Sequence, residues 1–180
     1  MVPSHVAFLR GMNLGGRRIK NEELRAEFEA LGFDDVACFR ASGNVVFSAK
    51  GSEATLTDQI EGGLGDALGY EVPVFLRSVA ALCALAAHEP FDAAKVKASE
   101  GKLQVALLSK TPEAKARKQA SGEATDEDWL AIEGRELYWL PCGRMSDSEL
   151  DLKAFATILG SMTIRTKGTI EQIAAKYCGE

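Results

Sequence analysis

Nowhere in the 180 residues does an apolar run approach the roughly eighteen residues needed to span a bilayer. The N-terminus has no basic patch followed by a long apolar core. Neither membrane insertion nor secretion is therefore expected, and the cytoplasm is the expected compartment. Histidine is scarce: His5 sits near the terminus and His88 at the end of a helical pattern. Two histidines so placed argue against a two-histidine metal site and against a Ser-His-Asp triad, and no metal site is expected. His88 reads instead as a C-terminal cap of its own helix. The four cysteines, Cys38, Cys83, Cys142 and Cys178, lie far apart with no C-x-x-C pair. Reduced, mostly buried thiols are expected rather than a zinc site or a disulfide framework.

A basic excess is also missing. Lys and Arg number 21 against 26 Asp and Glu, a net charge of −5, whereas a general nucleic-acid binder would carry a broad basic face. A sheet that stacks RNA bases would need several aromatics on its first and third strands. Only Phe8 and Phe47 fall there, and core packing explains both. The acid run Asp126-Glu127-Asp128 is a weak candidate for a divalent cation, and a solvated face is the plainer reading.

What is present is an ordinary globular composition, 46% hydrophobic and 26% charged, with clear punctuation. The apolar run Val6 to Leu9 reads as a strand. It leads through the glycine-rich loop Arg10 to Lys20 into a helix with Leu24, Phe28 and Leu31 on one face. Asn21 suits the N-cap of that helix, Glu22 and Glu23 its first turn, and Gly32 its end. Val36 to Phe39 and Val45 to Phe47 read as a hairpin turning at Ala41-Ser42-Gly43-Asn44. Leu56, Ile60, Leu64 and Leu68 mark a helix over Glu53 to Leu68, capped by Ser52 and ended by Gly69. Val72 to Leu76 is a strand whose Pro73 suits a sheet edge. Strand, helix, strand, strand, helix, strand is the order of a ferredoxin-like unit.

A helix from Ser78 to Ala87, capped by Ser78, precedes a polar stretch, and the order then recurs. Leu103 to Leu108 is a strand, and Thr111-Pro112-Glu113 opens a helix with proline in its first turn. Trp129 to Ile132 and Glu136 to Leu140 form a second hairpin. Leu150 to Leu159 is a helix capped near Asp147 or Ser148, Met162 to Arg165 a strand, and Thr169 to Tyr177 a terminal helix. The expected fold is α+β: two ferredoxin-like βαββαβ halves with antiparallel sheets, residues 1–88 and 102–180, joined by a linker over 89–101. No sequence repeat relates the halves; only the element order does.

In such a unit the third strand lies between the first and second and runs antiparallel to both. The exit of the first strand and the turn of the first hairpin should therefore meet at one edge. The loop brings Arg10, Arg17, Arg18 and Lys20 to that edge with no acid among them. Backbone N–H groups of a glycine-rich loop and bidentate arginines suit phosphate or carboxylate. Gly11, Gly15 and Gly16 fit neither G-x-G-x-x-G, because Asn13 stands at the second glycine, nor the phosphate loop, because no Gly-Lys-Ser/Thr follows. A turn needing positive φ, with solvated cations, is the plainer reading of the loop, and hairpin chemistry the plainer reading of Ser42-Gly43-Asn44.

Three blocks, LRGMNLGG (Leu9 to Gly16), ELRAEFEALGF (Glu23 to Phe33) and SGNVVF (Ser42 to Phe47), resemble the bacterial family called domain of unknown function 1697. Looser agreement runs through VPVFLR (Val72 to Arg77), Glu89-Pro90-Phe91, YWLPCGRMSDSEL (Tyr138 to Leu150) and MTIRTKGTI (Met162 to Ile170). The resemblance implies a two-part α+β fold of ferredoxin-like halves and no particular activity. Members commonly read Gln-Ser-Gly-Asn at the hairpin and Thr-Arg-Asn-Trp near the end. This chain has Ala41 before Ser42 and Thr166-Lys167 after Arg165, departures that point to a changed ligand or weakened activity if those positions contribute.

Two readings stay open. In the first, a phosphate- or carboxylate-bearing small molecule binds at Arg10, Asn13, Gly15, Gly16, Arg17, Ser42, Asn44 and Arg165. In the second, the protein is a non-enzymatic interaction module using an exposed sheet face or edge, with the glycine loop purely architectural. A polar pocket would favour the first and a flat apolar face the second. No nucleophile with its base is recognisable, so catalytic residues, cofactor and oligomeric state stay open.

Overall fold

The run Val6 to Leu9 forms the centre of β1 (His5–Leu9), and all four residues are buried. The computed structural model describes residues 3–12, 15, 18–40, 43–125 and 127–179, apart from the side chain of Asp147. β1 is flanked on both sides by antiparallel neighbours, β3 (Asn44–Ser48) and β4 (Val74–Ser78). β2 (Asp34–Cys38) pairs with β3, so the sheet order is β2-β3-β1-β4, that of a ferredoxin-like unit. β4 is an edge strand, and Pro73 lies just before its first residue, where a missing N–H costs nothing.

Two helices cover one face of this sheet, α1 (Asn21–Ala30) and α2 (Glu53–Leu68). Ala7, Leu9, Val45, Phe47, Val74 and Leu76 alternate along the strands to meet Leu24 and Phe28 of α1 and Leu56, Ile60 and Leu64 of α2. Each of the larger of these side chains contributes about 1.5–3 kcal/mol by leaving water. Val6, Phe8, Val46 and Phe75 on the other face are also buried, so Phe8 and Phe47 are both core residues.

The helix ends repeat the sequence signals with small corrections. α2 has the expected bounds: Thr55 N–H donates to Ser52 Oγ at 3.2 Å, and Gly69 closes it at φ +73°. Asn21 is the first residue of α1 rather than its cap; Lys20 is the N-cap, and its N–H donates to Glu23 Oε2 at 2.9 Å. The acid three residues in takes up the N–H of the N-cap itself, one half of a capping box.

Beyond α3 (Val79–Ala87), capped as expected by Ser78 Oγ accepting from Ala81 N–H, the expected linker holds a short helix, α4 (Ala93–Ala98). Ser99 Oγ donates to Pro141 O and Glu100 N–H to Cys142 O, so backbone and side-chain bonds order the end of this stretch. A second four-stranded antiparallel sheet follows, β5 (Gln104–Leu108), β6 (Asp128–Glu133), β7 (Glu136–Pro141) and β8 (Met162–Thr166), in the order β6-β7-β5-β8. Its core joins Ala106, Leu108, Leu137 and Trp139 to Ala120 of α5 (Ala114–Gly122) and Phe155 and Leu159 of α6 (Leu152–Leu159). Pro112 precedes the N-cap of α5, Glu113, and so is not in its first turn. Asp151, not Asp147 or Ser148, caps α6, accepting from the N–H groups of Lys153 and Ala154. α7 (Lys167–Tyr177) ends the described elements.

The chain divides into two compact units, Met1–Leu85 with Ile173–Glu180, and Ala86–Gln172. The first contains a disulfide between Cys83, on α3, and Cys178, just past α7, while Cys38 and Cys142 are free. This corrects the expectation of four thiols. The partners stand 95 positions apart in sequence, and only the fold brings their Cα atoms to 5.8 Å, within disulfide reach.

Candidate functional site

The loop after β1 and the turn of the first hairpin do meet. Leu9 N–H donates to Gly43 O at 2.7 Å, and Arg10 N–H donates to Pro73 O at 3.0 Å. The chain thus leaves β1 fixed between the hairpin and the start of β4. Gly43 holds φ +69°, and a Cβ there would lie 2.9 Å from Met12 Cγ and 3.1 Å from Leu9 Cβ. Glycine is required by this close approach as well as by the backbone. Met12 is itself buried in the core, which anchors the start of the loop.

Asn44 is fully buried, and its Nδ2 donates to Phe39 O at 3.1 Å while Phe39 N–H donates to Asn44 O at 2.8 Å. Its side chain braces the hairpin from within. Arg40, between them in sequence, is exposed and holds a left-handed φ of +56°, unusual for a side-chain-bearing residue, with its guanidinium 5.8 Å from the Phe39 ring centre. Arg10 and Gly15 are also surface residues, the latter at φ +62°. Asn13, Gly16, Arg17 and Ser42 lie outside the described residues.

Arg18, at the far end of the loop, lines an open groove of about 410 Å³ with Ile19, Glu23, Glu27, Leu68 and Tyr70. Helix α1 therefore sets acids beside the basic loop, a neighbour that counting charges within Arg10 to Lys20 does not reveal.

Arg165 belongs to the second unit, on β8 opposite Val105. Its Nη1 donates to Thr163 Oγ1 and to Ile164 O, both at 2.9 Å. Desolvation by burial lowers its pKa from the ordinary arginine value to about 10.

Two arrangements escaped the sequence reading. At the other end of β1, Ser4 Oγ lies 2.8 Å from His5 Nδ1 and also accepts from Ala49 N–H at 3.1 Å. Ser4 lines a groove of about 620 Å³ with Phe33, Asp34, Ser48, Lys50 and Gln59. Desolvation lowers the pKa of His5, opposed by the charge of Glu53. Ser4 is held to Ala49 across the strand ends, a partner that local sequence does not signal. The second is Asp128, buried and accepting from Trp139 Nε1 at 2.5 Å, Thr125 Oγ1 at 2.7 Å and Ser148 Oγ at 2.9 Å. This corrects the solvated-face reading of the acid run for Asp128, whose oxygens are taken up by uncharged donors; Asp126 lies outside the described residues. Among the described residues no three His, Cys, Asp or Glu side chains gather in a group that could hold a metal ion.

His88 does not cap its helix. Lys167 Nζ does so, donating to Ala86 O and His88 O at 2.8 Å each and pairing with Glu171 Oε1 at 3.3 Å. His88 Nε2 lies 3.2 Å from Glu133 Oε2, close enough for an ion pair when protonated but off the line of a hydrogen bond.

No curated protein matches the chain. It is similar to the conserved bacterial protein SP0830 from Streptococcus pneumoniae, with a TM-score of 0.70 over 99% of this chain and 100% of that one. At 17% identity the likeness shows the fold alone. The family profile described as "Protein of unknown function (DUF1697)" matches residues 2–138, from before β1 into β7, and the chain belongs to that family.

Proposed function

We propose that the protein binds a small phosphate- or carboxylate-bearing molecule at the rim of its first unit. The site would use Arg10, the loop around Asn13, Gly15, Gly16 and Arg17, and the hairpin turn at Ser42. The observation that carries the reading is the Leu9 to Gly43 hydrogen bond, which sets the end of β1, where the basic loop begins, beside Gly43 of the hairpin turn. Arg10 supplies two parallel donors to a planar or tetrahedral anion, and loop N–H groups at positive-φ glycines suit its remaining oxygens. Asn44 supports the site by bracing the turn. Arg165, on β8 of the second unit, is left out of this site.

The interaction-module reading would use an exposed apolar face or an edge strand, and β2 and β4 are the edges of the first sheet. Among the described residues Met145 is the one exposed large hydrophobic, so no apolar face favours that reading over the anion site.

The test is a thermal-shift screen against anionic metabolites. At about a hundredfold excess over Kd, binding stabilises by roughly 2.7 kcal/mol. Arg10→Ala should weaken the response, while Lys110→Ala, removing an exposed cation of the second unit, should not. No response from the wild type, or an unchanged one from Arg10→Ala, overturns the proposal.

A further inference from the structure

The Cys83–Cys178 bond joins the middle of α3 to the residue just past α7, so it fastens the C-terminal segment of the first unit to a helix residue 95 positions earlier. Neither cysteine belongs to the apolar clusters that hold the two sheets against their helices, and both are only partly buried. Apart from the bond, the segment is held by buried Ile173 and Ala174 and by helical bonds such as Cys178 N–H to Ala174 O at 2.7 Å.

We propose that Cys83–Cys178 is a reversible exchange site for a dithiol oxidoreductase, and that its redox state decides whether the segment from Ile173 onward is clamped to α3. A thiolate of the partner dithiol attacks one sulfur of the pair, forming a mixed disulfide and expelling the other cysteine as a thiolate. The partner's second thiol, as thiolate, then attacks the mixed disulfide and releases the remaining cysteine. The protein disulfide gains two electrons and two protons, and the dithiol leaves as a disulfide. Cys38 does not compete equally. Cys38 donates its Sγ–H to Asn21 O at 3.4 Å, and burial pushes its thiol up to about 11, which leaves little thiolate to attack.

The experiment equilibrates the native protein in mixtures of reduced and oxidised dithiothreitol, then reads cysteine state by alkylation and peptide mass, and backbone protection by hydrogen exchange. Expected is reduction of Cys83 and Cys178 without denaturant and reoxidation on return to oxidised dithiothreitol. Amide exchange should rise at least about tenfold over 174–178 while β1, β3 and β4 stay protected. Cys83→Ser should show the fast-exchanging segment in every mixture. The proposal is overturned if the oxidised mixture yields no Cys83–Cys178 bond, if reduction requires denaturant, or if segment exchange is the same in both redox states.

Discussion

Arg77 on β4 and Arg165 on β8 occupy the same place in the two sheets. Each lies opposite a valine of its unit's first strand, Val6 and Val105, and each turns Nη1 back onto the preceding carbonyl, Leu76 O at 2.8 Å and Ile164 O at 2.9 Å. Bonds at the strand ends repeat in the same way: Leu9 to Gly43 matches Leu108 to Arg135, and Arg10 to Pro73 matches Ser109 to Ser161. The halves are thus duplicated in backbone bonding where their sequences show no repeat. The correspondence also separates them, because the residue leaving the first strand is Arg10 in one unit and Ser109 in the other. The proposed anion rim accordingly belongs to the first unit only.

Gly43 should be far less tolerant than Gly15. Both hold positive φ, but a Cβ at Gly43 meets Met12 and Leu9, while no described residue lies within 4 Å of one at Gly15. Urea unfolding should show Gly43→Ala destabilised by about 2–4 kcal/mol, combining backbone strain with overpacking, and Gly15→Ala by about 1 kcal/mol. Equal losses would mean that the loop does not pack on the hairpin.

Asp128→Asn tests the buried carboxylate. An amide has one acceptor oxygen where the carboxylate offers two, so its NH₂ must face donors from Trp139, Thr125 or Ser148. The expected loss is roughly 1–3 kcal/mol, with a change in Trp139 fluorescence, both followed in denaturant titrations. An unchanged stability would argue that the carboxylate is solvated after all.

Lys167→Met should remove the donor that serves Ala86 O and His88 O. With those carbonyls left near a buried apolar chain end, the expected cost is about 1–3 kcal/mol at neutral pH. Glu171→Gln, which touches only the partly exposed carboxylate of the pair, should cost well under that. Thermal unfolding of the two variants checks the ranking.

The fold was legible wherever short-range rules govern it. Ser52, Gly69, the spacing of Leu56, Ile60 and Leu64, and the hairpin residues each announce their element, and element order then implied β2-β3-β1-β4 and the meeting of loop and turn. Helix caps shifted by a residue or a few, as at Lys20 and Asp151, while the larger misses depend on distant partners. Lys167 reaches back some eighty residues to cap α3, and Asp128 is dry because Ser148 and Trp139 fold over it. Cys83 finds Cys178 across most of the second half. Spacing within a window cannot see any of these. The site was legible only as a rim, because charges on α1 and the inward turn of Asn44 depend on packing.

His5 gives the last prediction, through pH. Burial lowers its folded pKa below the ordinary value of 6.5, with the Glu53 charge opposing, and Ser4 Oγ on Nδ1 is the neighbouring polar contact. Below 6.5 the unfolded chain takes up a proton that folded His5 resists, so the unfolded state binds more protons there and stability rises with pH. The stability tied to neutral His5 is therefore present above 6.5 and lost as pH falls through the lower folded pKa. Its size is modest because the ring is far from fully buried. His5→Gln keeps a polar side chain near Ser4 without titrating, and should flatten the stability profile between about pH 6.5 and 5, where carboxylates contribute less of the slope. Urea midpoints across that window decide it: parallel profiles for the wild type and His5→Gln would show that the imidazole charges equally in both states.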